Sequence, residues 1–206
     1  MIRTTSLIDY LVEISEQAGN LTLEESYTIF QQIIIDTVDF HGNRDMLTYL
    51  VEKAFQFEKH HRSRNFIVDD TETNQILGFF SLSLKVIDIS GLTKSLKKKV
   101  ILKGKSPNHT DAIPVLLIGQ FGKNTKMNAI TGEQLFHEVL EKIEQFRSIV
   151  GTQMVFLDSI NEPKVISFYE KFGFVTYSNL ITDEQAMTYQ PMALNMALYN
   201  LTNQSN

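Results

Sequence analysis

The chain has 206 residues, comfortable for one domain and short for two. It contains no cysteine, which excludes disulfides, zinc–thiolate sites and a thiol nucleophile, and its net charge of −5 argues against nucleic acid as its main partner. No apolar run approaches the roughly 20 residues that a bilayer span requires. The opening MIRTTSLIDYLVEISEQ carries acidic residues inside its apolar pattern and has no small-residue cleavage site, so it does not read as a secretory signal and a cytosolic protein is expected. The five histidines, at 41, 60, 61, 109 and 137, lack metal-ligand spacing, and no metal is expected.

Taken in chain order, residues 5–17 and 22–35 predict two amphipathic helices separated by Gly19-Asn20. Thr22 with Glu25 three residues on has the spacing of a capping box. The run Ile33, Ile34, Ile35 leaves the end of the second segment open between helix and strand. Residues 43–60 predict a third helix, with an apolar stripe of Met46, Leu47, Leu50, Val51, Ala54, Phe55 and Phe57. A hairpin follows, with Phe66-Ile67-Val68 as its first strand and Ile76 to Ile87 as its second; Ile76, Gly78, Phe80, Leu82, Leu84 and Val86 recur with period two. The segment 88–110 holds Lys94, Lys97, Lys98, Lys99, Lys103 and Lys105, with one short helix expected near 92–99. Those lysines are either a solvated face or a basic rim for a phosphate-bearing ligand.

Ala112 to Phe121 is a near-continuous apolar strand, which predicts burial on both faces. The loop GKNTKMNAITG leads into a helix over 132–149, whose buried face is Leu135, Phe136, Val139, Leu140, Ile143 and Phe146; Glu138–Lys142 has the spacing of an exposed ion pair. A strand over 153–158, a short helix, residues 174–177 and a last strand from Met192 to Leu201 complete the chain, with a frayed TNQSN end. There is no repeat, linker or low-complexity tract, so a single domain over 1–206 is expected, with 1–37 as a helical N-terminal extension.

The densest signal lies in DSINEPKVISFYEKFGF, from Asp158 to Phe174. Pro163 suits the first turn of a helix, where its missing N–H is no loss. Val165, Ile166, Phe168, Tyr169 and Phe172 fall on one face. Gly173 suits a left-handed helix end, and Phe174 can fold back onto the last turn. Tyr169 then faces inward with a hydroxyl that needs a polar partner or a reacting group. Upstream, Thr131 is an N-cap candidate, Gln134 completes a capping box, Ile130 with Leu135 has hydrophobic-staple spacing, and Gly132 at the first helical position allows close approach to the backbone. A helix starting just past a buried strand offers N–H groups and partial positive charge to a pyrophosphate; the plain alternative is a well-capped helix with no ligand.

Strand, helix with Phe-Tyr, then Gly-Phe resembles the closing segment of the GNAT acyl-CoA N-acyltransferases. The run from ILGFFSLSL through IPVLLIGQFGKN to FYEKFGF and PMALNM is similar to the branch containing toxins that acetylate aminoacyl-tRNA, over roughly residues 38–201. The resemblance implies an α+β fold with a mixed, mostly antiparallel central sheet flanked by helices, split between the central strand and its successor. It implies acetyl-CoA as acyl donor and no metal. Of the family's glycine-rich turn only Gly132 is present; Ile130 and Met127 stand where the first glycine and the basic or amide residue belong.

Carried over from the family, Ile118, Gly119, Gln120 and Phe121 are the strand positions along which pantetheine would pair. Lys126, Asn128, Ala129, Ile130, Thr131, Gly132 and Glu133 would surround the pyrophosphate. Asn161 stands one residue early for the family's pantetheine asparagine. In the family the tyrosine protonates the departing CoA thiolate, and Tyr169 would do so here. The stretch AIPVLLIGQF holds no carboxylate or histidine, which leaves water, His109 or Asp111 as the base and favours amines of low pKa. The expected function is direct acetyl transfer from acetyl-CoA to an amine acceptor. The acidic total charge places a small amine ahead of tRNA, and a homodimer is compatible. The alternatives are toxin-type acetylation of aminoacyl-tRNA and a GNAT-like binding domain without catalysis.

Overall fold

The computed structural model describes residues 1–90, 112–197 and 199. The strand order of its sheet is β1 (Ile2–Ser6), β2 (Arg64–Asp70), β3 (Gln75–Asp88), β4 (Ala112–Lys123), β5 (Met154–Ile160), β8 (Thr188–Asn195) and β6 (Val175–Thr176), with β7 (Ile181–Thr182) also on β8. The chain divides into two compact units, Met1–Ser83 with Gly119–Gln145, and Leu84–Ile118 with Phe146–Asn206. Among the described residues no helix is long and apolar enough to cross a membrane.

In the first unit, β1 (Ile2–Ser6) pairs antiparallel with β2 (Arg64–Asp70) from Ile2↔Asp70 to Ser6↔Phe66. This corrects the helix expected from residue 5: the β-branched run Ile2, Thr4, Thr5 takes a strand, and Arg3 fixes it by gripping the buried Asp69 with Nε at 3.1 Å and Nη2 at 2.6 Å. The helix starts at Leu7, where the Ser6 hydroxyl accepts from the Asp9 N–H at 3.1 Å. The first 37 residues therefore begin with a strand and are not purely helical.

α1 (Leu7–Gln17) and α2 (Leu23–Thr37) form a helical pair; the Thr22–Glu25 capping box is present, and the triple isoleucine lies within α2. Leu7, Leu11, Tyr27, Phe30, Ile34, Leu50, Phe55, Ile67 and Phe79 belong to one buried cluster. The expected 43–60 helix is broken into α3 (Arg44–Thr48), a π-helical turn (Tyr49–Lys53) and α4 (Ala54–Lys59). At the widened turn the Tyr27 hydroxyl is shared between the Leu50 and Val51 carbonyls at 2.9 and 2.7 Å, and Gln31 Nε2 donates to Val51 at 2.7 Å.

β2 and β3 (Gln75–Asp88) form the expected hairpin, with a register shift between Val68 and Asp69. The period-two face of β3 is not uniformly buried. Ile76 to Leu82 are buried on both faces, whereas Leu84 and Val86 are 65% and 68% exposed. α5 (Gly132–Val150) carries Leu135, Phe136, Val139, Leu140 and Ile143 into the interior. The expected Glu138–Lys142 pair is replaced, because Glu138 accepts from the Thr4 hydroxyl at 2.5 Å while Lys142 Nζ lies 5.4 Å from the centre of the Phe66 ring.

In the second unit, β4 (Ala112–Lys123) enters from its N-terminal end and pairs parallel with β5 (Met154–Ile160) at Leu116↔Val155 and Leu117↔Phe156. β5 pairs along its whole length with β8 (Thr188–Asn195), antiparallel, from Met154↔Asn195 to Ile160↔Tyr189. β6 (Val175–Thr176) and β7 (Ile181–Thr182) are two-residue strands on β8. The last strand thus begins earlier than Met192 and ends at Asn195; Leu201, the TNQSN end and the whole lysine cluster lie outside the described residues. Ile87, Ile89, Val115, Met154, Phe156 and Ala193 form the buried cluster of this unit.

Candidate active site

The expected cofactor residues of β4 divide by exposure. Ile118 is buried, as are Val115 and Leu116 before it, but Gly119 is exposed and Gln120 and Phe121 are half-buried. The continuous apolar sequence therefore does not mean burial on both faces to its end. A Cβ on Gly119 would stand 3.0 Å from Ser81 Oγ, so glycine lets the strand lie close against β3 there. Phe121 turns its ring edge-on to Phe136 at 5.2 Å, tying the strand to α5.

The loop from β4 to α5 is held largely by its own side chains and by the end of α2. Lys123 Nζ donates to the Met127 carbonyl at 3.1 Å. Lys126 Nζ donates to the Asp36 carbonyl at 3.0 Å, in the last turn of α2, so its charge sits on a helix C-terminus. Asn128 and Ala129 are exposed, and Ile130 is buried. Thr131 and Gln134 form a reciprocal pair: the Thr131 hydroxyl accepts from the Gln134 N–H at 3.1 Å, and Gln134 Oε1 from the Thr131 N–H at 2.9 Å. Gly132 follows, half-buried, with Glu133 exposed in the first turn.

Tyr169, Asn161 and Ile118 belong to the second unit. α6 (Pro163–Lys171) begins with Pro163 in its first turn. It ends with Gly173 at φ +84°, whose N–H donates to the Glu170 carbonyl at 2.9 Å, while the Phe174 N–H donates to the Tyr169 carbonyl at 3.3 Å. These two bonds make a Schellman motif. Its apolar contact is the edge-on pair of Tyr169 and Phe174, with ring centres 5.9 Å apart. Tyr169 is 9% exposed, and burial pushes its phenol above the ordinary range, so the group is neutral at physiological pH. Asn161 is exposed; its N–H donates to the Thr188 carbonyl at 3.0 Å.

Two sets of residues went unnoticed in sequence. Asn124, at the end of β4, is fully buried among four hydrogen bonds of its side chain. Its place in a turn-prone GKNTK run was the available signal. Glu58, 2% exposed, accepts from Arg64 Nη1 at 2.8 Å and from the Asn65 N–H at 2.8 Å, and Asn65 Oδ1 accepts from the Tyr49 hydroxyl at 2.9 Å. This buried network ties the π turn and α4 to β2. The two upstream base candidates, His109 and Asp111, lie outside the described residues. Among the described residues no cluster of three or more potential ligands could hold a metal.

No family model matches the chain. Its fold does match solved structures at low identity. "Crystal structure of bacterial toxin" aligns with a TM-score of 0.67 and 15% identity, covering 100% of this chain and 97% of that one. AtaT complexed with acetyl-methionyl-tRNAfMet aligns with a TM-score of 0.62 and 16% identity over 98% and 99%. AtaTR bound with AcCoA aligns with a TM-score of 0.62 and 17% identity over 98% and 97%. The chain thus has the α+β fold, with a mixed sheet, of these solved toxin structures, along nearly its whole length.

Proposed function

We propose that this protein transfers an acetyl group from acetyl-CoA to the α-amine of aminoacyl-tRNA. The observation that carries the reading is the end-to-end match to AtaT complexed with acetyl-methionyl-tRNAfMet, which covers 98% of this chain, including its first helices. That match supports tRNA ahead of the small-molecule acceptor expected from net charge. Net charge is a sum over the whole chain, whereas phosphate binding depends on local density, and six lysines fall within 94–105.

The chemistry follows from the residues. Gly119, Gln120 and Phe121 lie at an accessible stretch of β4, where pantetheine can pair with the main chain as an added strand. The start of α5 at Thr131-Gly132 offers N–H groups and partial positive charge to the pyrophosphate. The neutral α-amine attacks the thioester carbonyl, whose developing oxyanion accepts from strand N–H groups near Gln120 and Phe121. The intermediate expels the thiolate, Tyr169 gives it a proton, and the proton lost by the amine leaves through water and restores the phenol. The absence of a carboxylate or histidine in β4 suits this acceptor, since an α-amine of pKa about 7.7–8.0 is partly neutral already and a lysine amine of about 10.4 is not.

The cofactor half is tested by thermal unfolding with acetyl-CoA. At about a hundred times its dissociation constant the ligand adds roughly 2.7 kcal/mol of stability. A midpoint that does not move up to millimolar acetyl-CoA contradicts the reading and favours a GNAT-like domain that has lost the cofactor.

A further inference from the structure

The cofactor loop is built on a single buried amide. Asn124 is 0% exposed. Its Nδ2 donates to the Thr37 carbonyl at 3.0 Å and the Ile76 carbonyl at 2.8 Å, and its Oδ1 accepts from the N–H groups of Asp39 and Lys126, each at 3.1 Å. Both donors and both lone pairs of the side chain are therefore in use. Its own N–H donates to the Leu77 carbonyl at 2.8 Å. The partners come from three places: the end of α2 with the turn after it, the start of β3, and the loop itself.

The next two residues repeat the attachment. The Thr125 N–H donates to the Asp39 carbonyl at 2.8 Å, and its hydroxyl donates to the Asp39 carboxylate. That carboxylate also accepts from the His41 and Gly42 N–H groups at 3.1 and 3.2 Å, holding a turn in which both residues have positive φ. Lys126 Nζ reaches the Asp36 carbonyl. Three successive loop residues are thus bound to the end of α2 and the turn after it, although roughly 90 residues separate them in sequence.

We propose that Asn124 is the positioning residue of the cofactor loop, and that through it the end of α2 sets where the start of α5 meets the acetyl-CoA pyrophosphate. This rests on the acetyl-CoA reading above. Only a primary amide meets the site's requirements. An apolar side chain leaves two N–H groups and two carbonyls without their partner, the Ile76 carbonyl among them buried, and a carboxylate faces the Thr37 and Ile76 carbonyls with charge and no donor. Once the amide is lost the loop samples other arrangements, and acetyl-CoA must reorder it on binding. The side chain of Asn124 spends all its hydrogen bonds on α2, the turn after it, β3 and the loop, so turnover with saturated cofactor is spared.

The experiment measures acetyl-CoA affinity by calorimetry, turnover on charged tRNA and thermal midpoint for the full chain and three variants. Asn124→Ala removes the amide. Thr125→Val keeps the volume and removes the hydroxyl bound to Asp39. Asn65→Ala removes an equally buried, hydrogen-bonded amide that lies away from the loop. Asn124→Ala is expected to weaken acetyl-CoA binding on the order of tenfold or more, with kcat at saturating cofactor changed by less than about threefold. Thr125→Val weakens binding in the same direction by less. Asn65→Ala lowers the thermal midpoint and leaves affinity unchanged. Should Asn124→Ala not fold, the Thr125→Val affinity alone decides. Unaltered affinity in the folded loop variants, or an equal loss in Asn65→Ala, overturns the proposal while wild-type binding upholds the acetyl-CoA reading. Wild-type protein that binds no acetyl-CoA overturns both.

Discussion

Tyr169 carries the most chemical weight of any residue in this account. Tyr169→Phe keeps the ring and its edge-on contact with Phe174 and deletes only the hydroxyl. The expected result is a fall in kcat of about 10²–10⁴-fold with little change in acetyl-CoA affinity, measured on folded protein under saturating cofactor. Burial raises the phenol's pKa, so its proton is present below the ordinary tyrosine value of about 10 and lost only above it. The rising limb of the pH–rate profile should therefore follow the acceptor amine near 7.7–8.0, and Tyr169 should give no falling limb below about pH 10. A falling limb near neutrality that vanishes in Tyr169→Phe would contradict this assignment. Tyr169 was legible in sequence because its helix, its proline start and its glycine stop are contiguous. Asn124 was not, because its partners Thr37, Asp39 and Ile76 come from elements between 48 and 87 residues away.

Among the elements, those with local signals could be read and those made by distant pairing could not. The Schellman end of α6 is the clearest legible case, and it gives a separable test. A Cβ at Gly173 would meet Leu194 Cδ1 at 3.4 Å, an ordinary contact, so the cost of Gly173→Ala is conformational, set by φ +84°. About 1 kcal/mol of stability should be lost in chemical denaturation. Gly78 is the opposite case. A Cβ there would stand 2.6 Å from the Gly122 carbonyl oxygen and 2.7 Å from Leu135 Cδ2, so Gly78→Ala forces β3 away from β4 and α5 and should cost more, about 1–3 kcal/mol. If the two variants are equally stable, this packing account of β3 is wrong. The edge strand β1 escaped sequence reading because its partner β2 begins about 60 residues later and a lone strand of five has little pattern of its own. The π turn escaped because its carbonyls are met by Tyr27 and Gln31 of α2, a tertiary condition invisible to helical periodicity. Along β3 the alternation was correctly seen, but it cannot say where a face leaves the core, which happens between Leu82 and Leu84.

At the scale of the whole molecule, composition and fold point to different acceptors. An acidic total points to a small amine, whereas the proposed function takes its acceptor from the structure named AtaT complexed with acetyl-methionyl-tRNAfMet, whose fold this chain shares. The two views make different predictions about salt. If charged tRNA is the acceptor, its affinity should fall steeply with ionic strength, and replacing Lys97, Lys98 and Lys99 with Gln should flatten the log–log slope by up to about 2.7, at about 0.9 per lost phosphate contact. Acetyl-CoA affinity should move far less. The most direct test of acetyl transfer to aminoacyl-tRNA is mass spectrometry of the amino acid released from tRNA after incubation with the protein and acetyl-CoA. The predicted product carries one added acetyl group on its α-nitrogen, forms with wild-type protein and is strongly diminished with Tyr169→Phe. Unmodified aminoacyl-tRNA across a full set of charged species, from protein that binds acetyl-CoA and acetylates a small amine instead, would contradict the account.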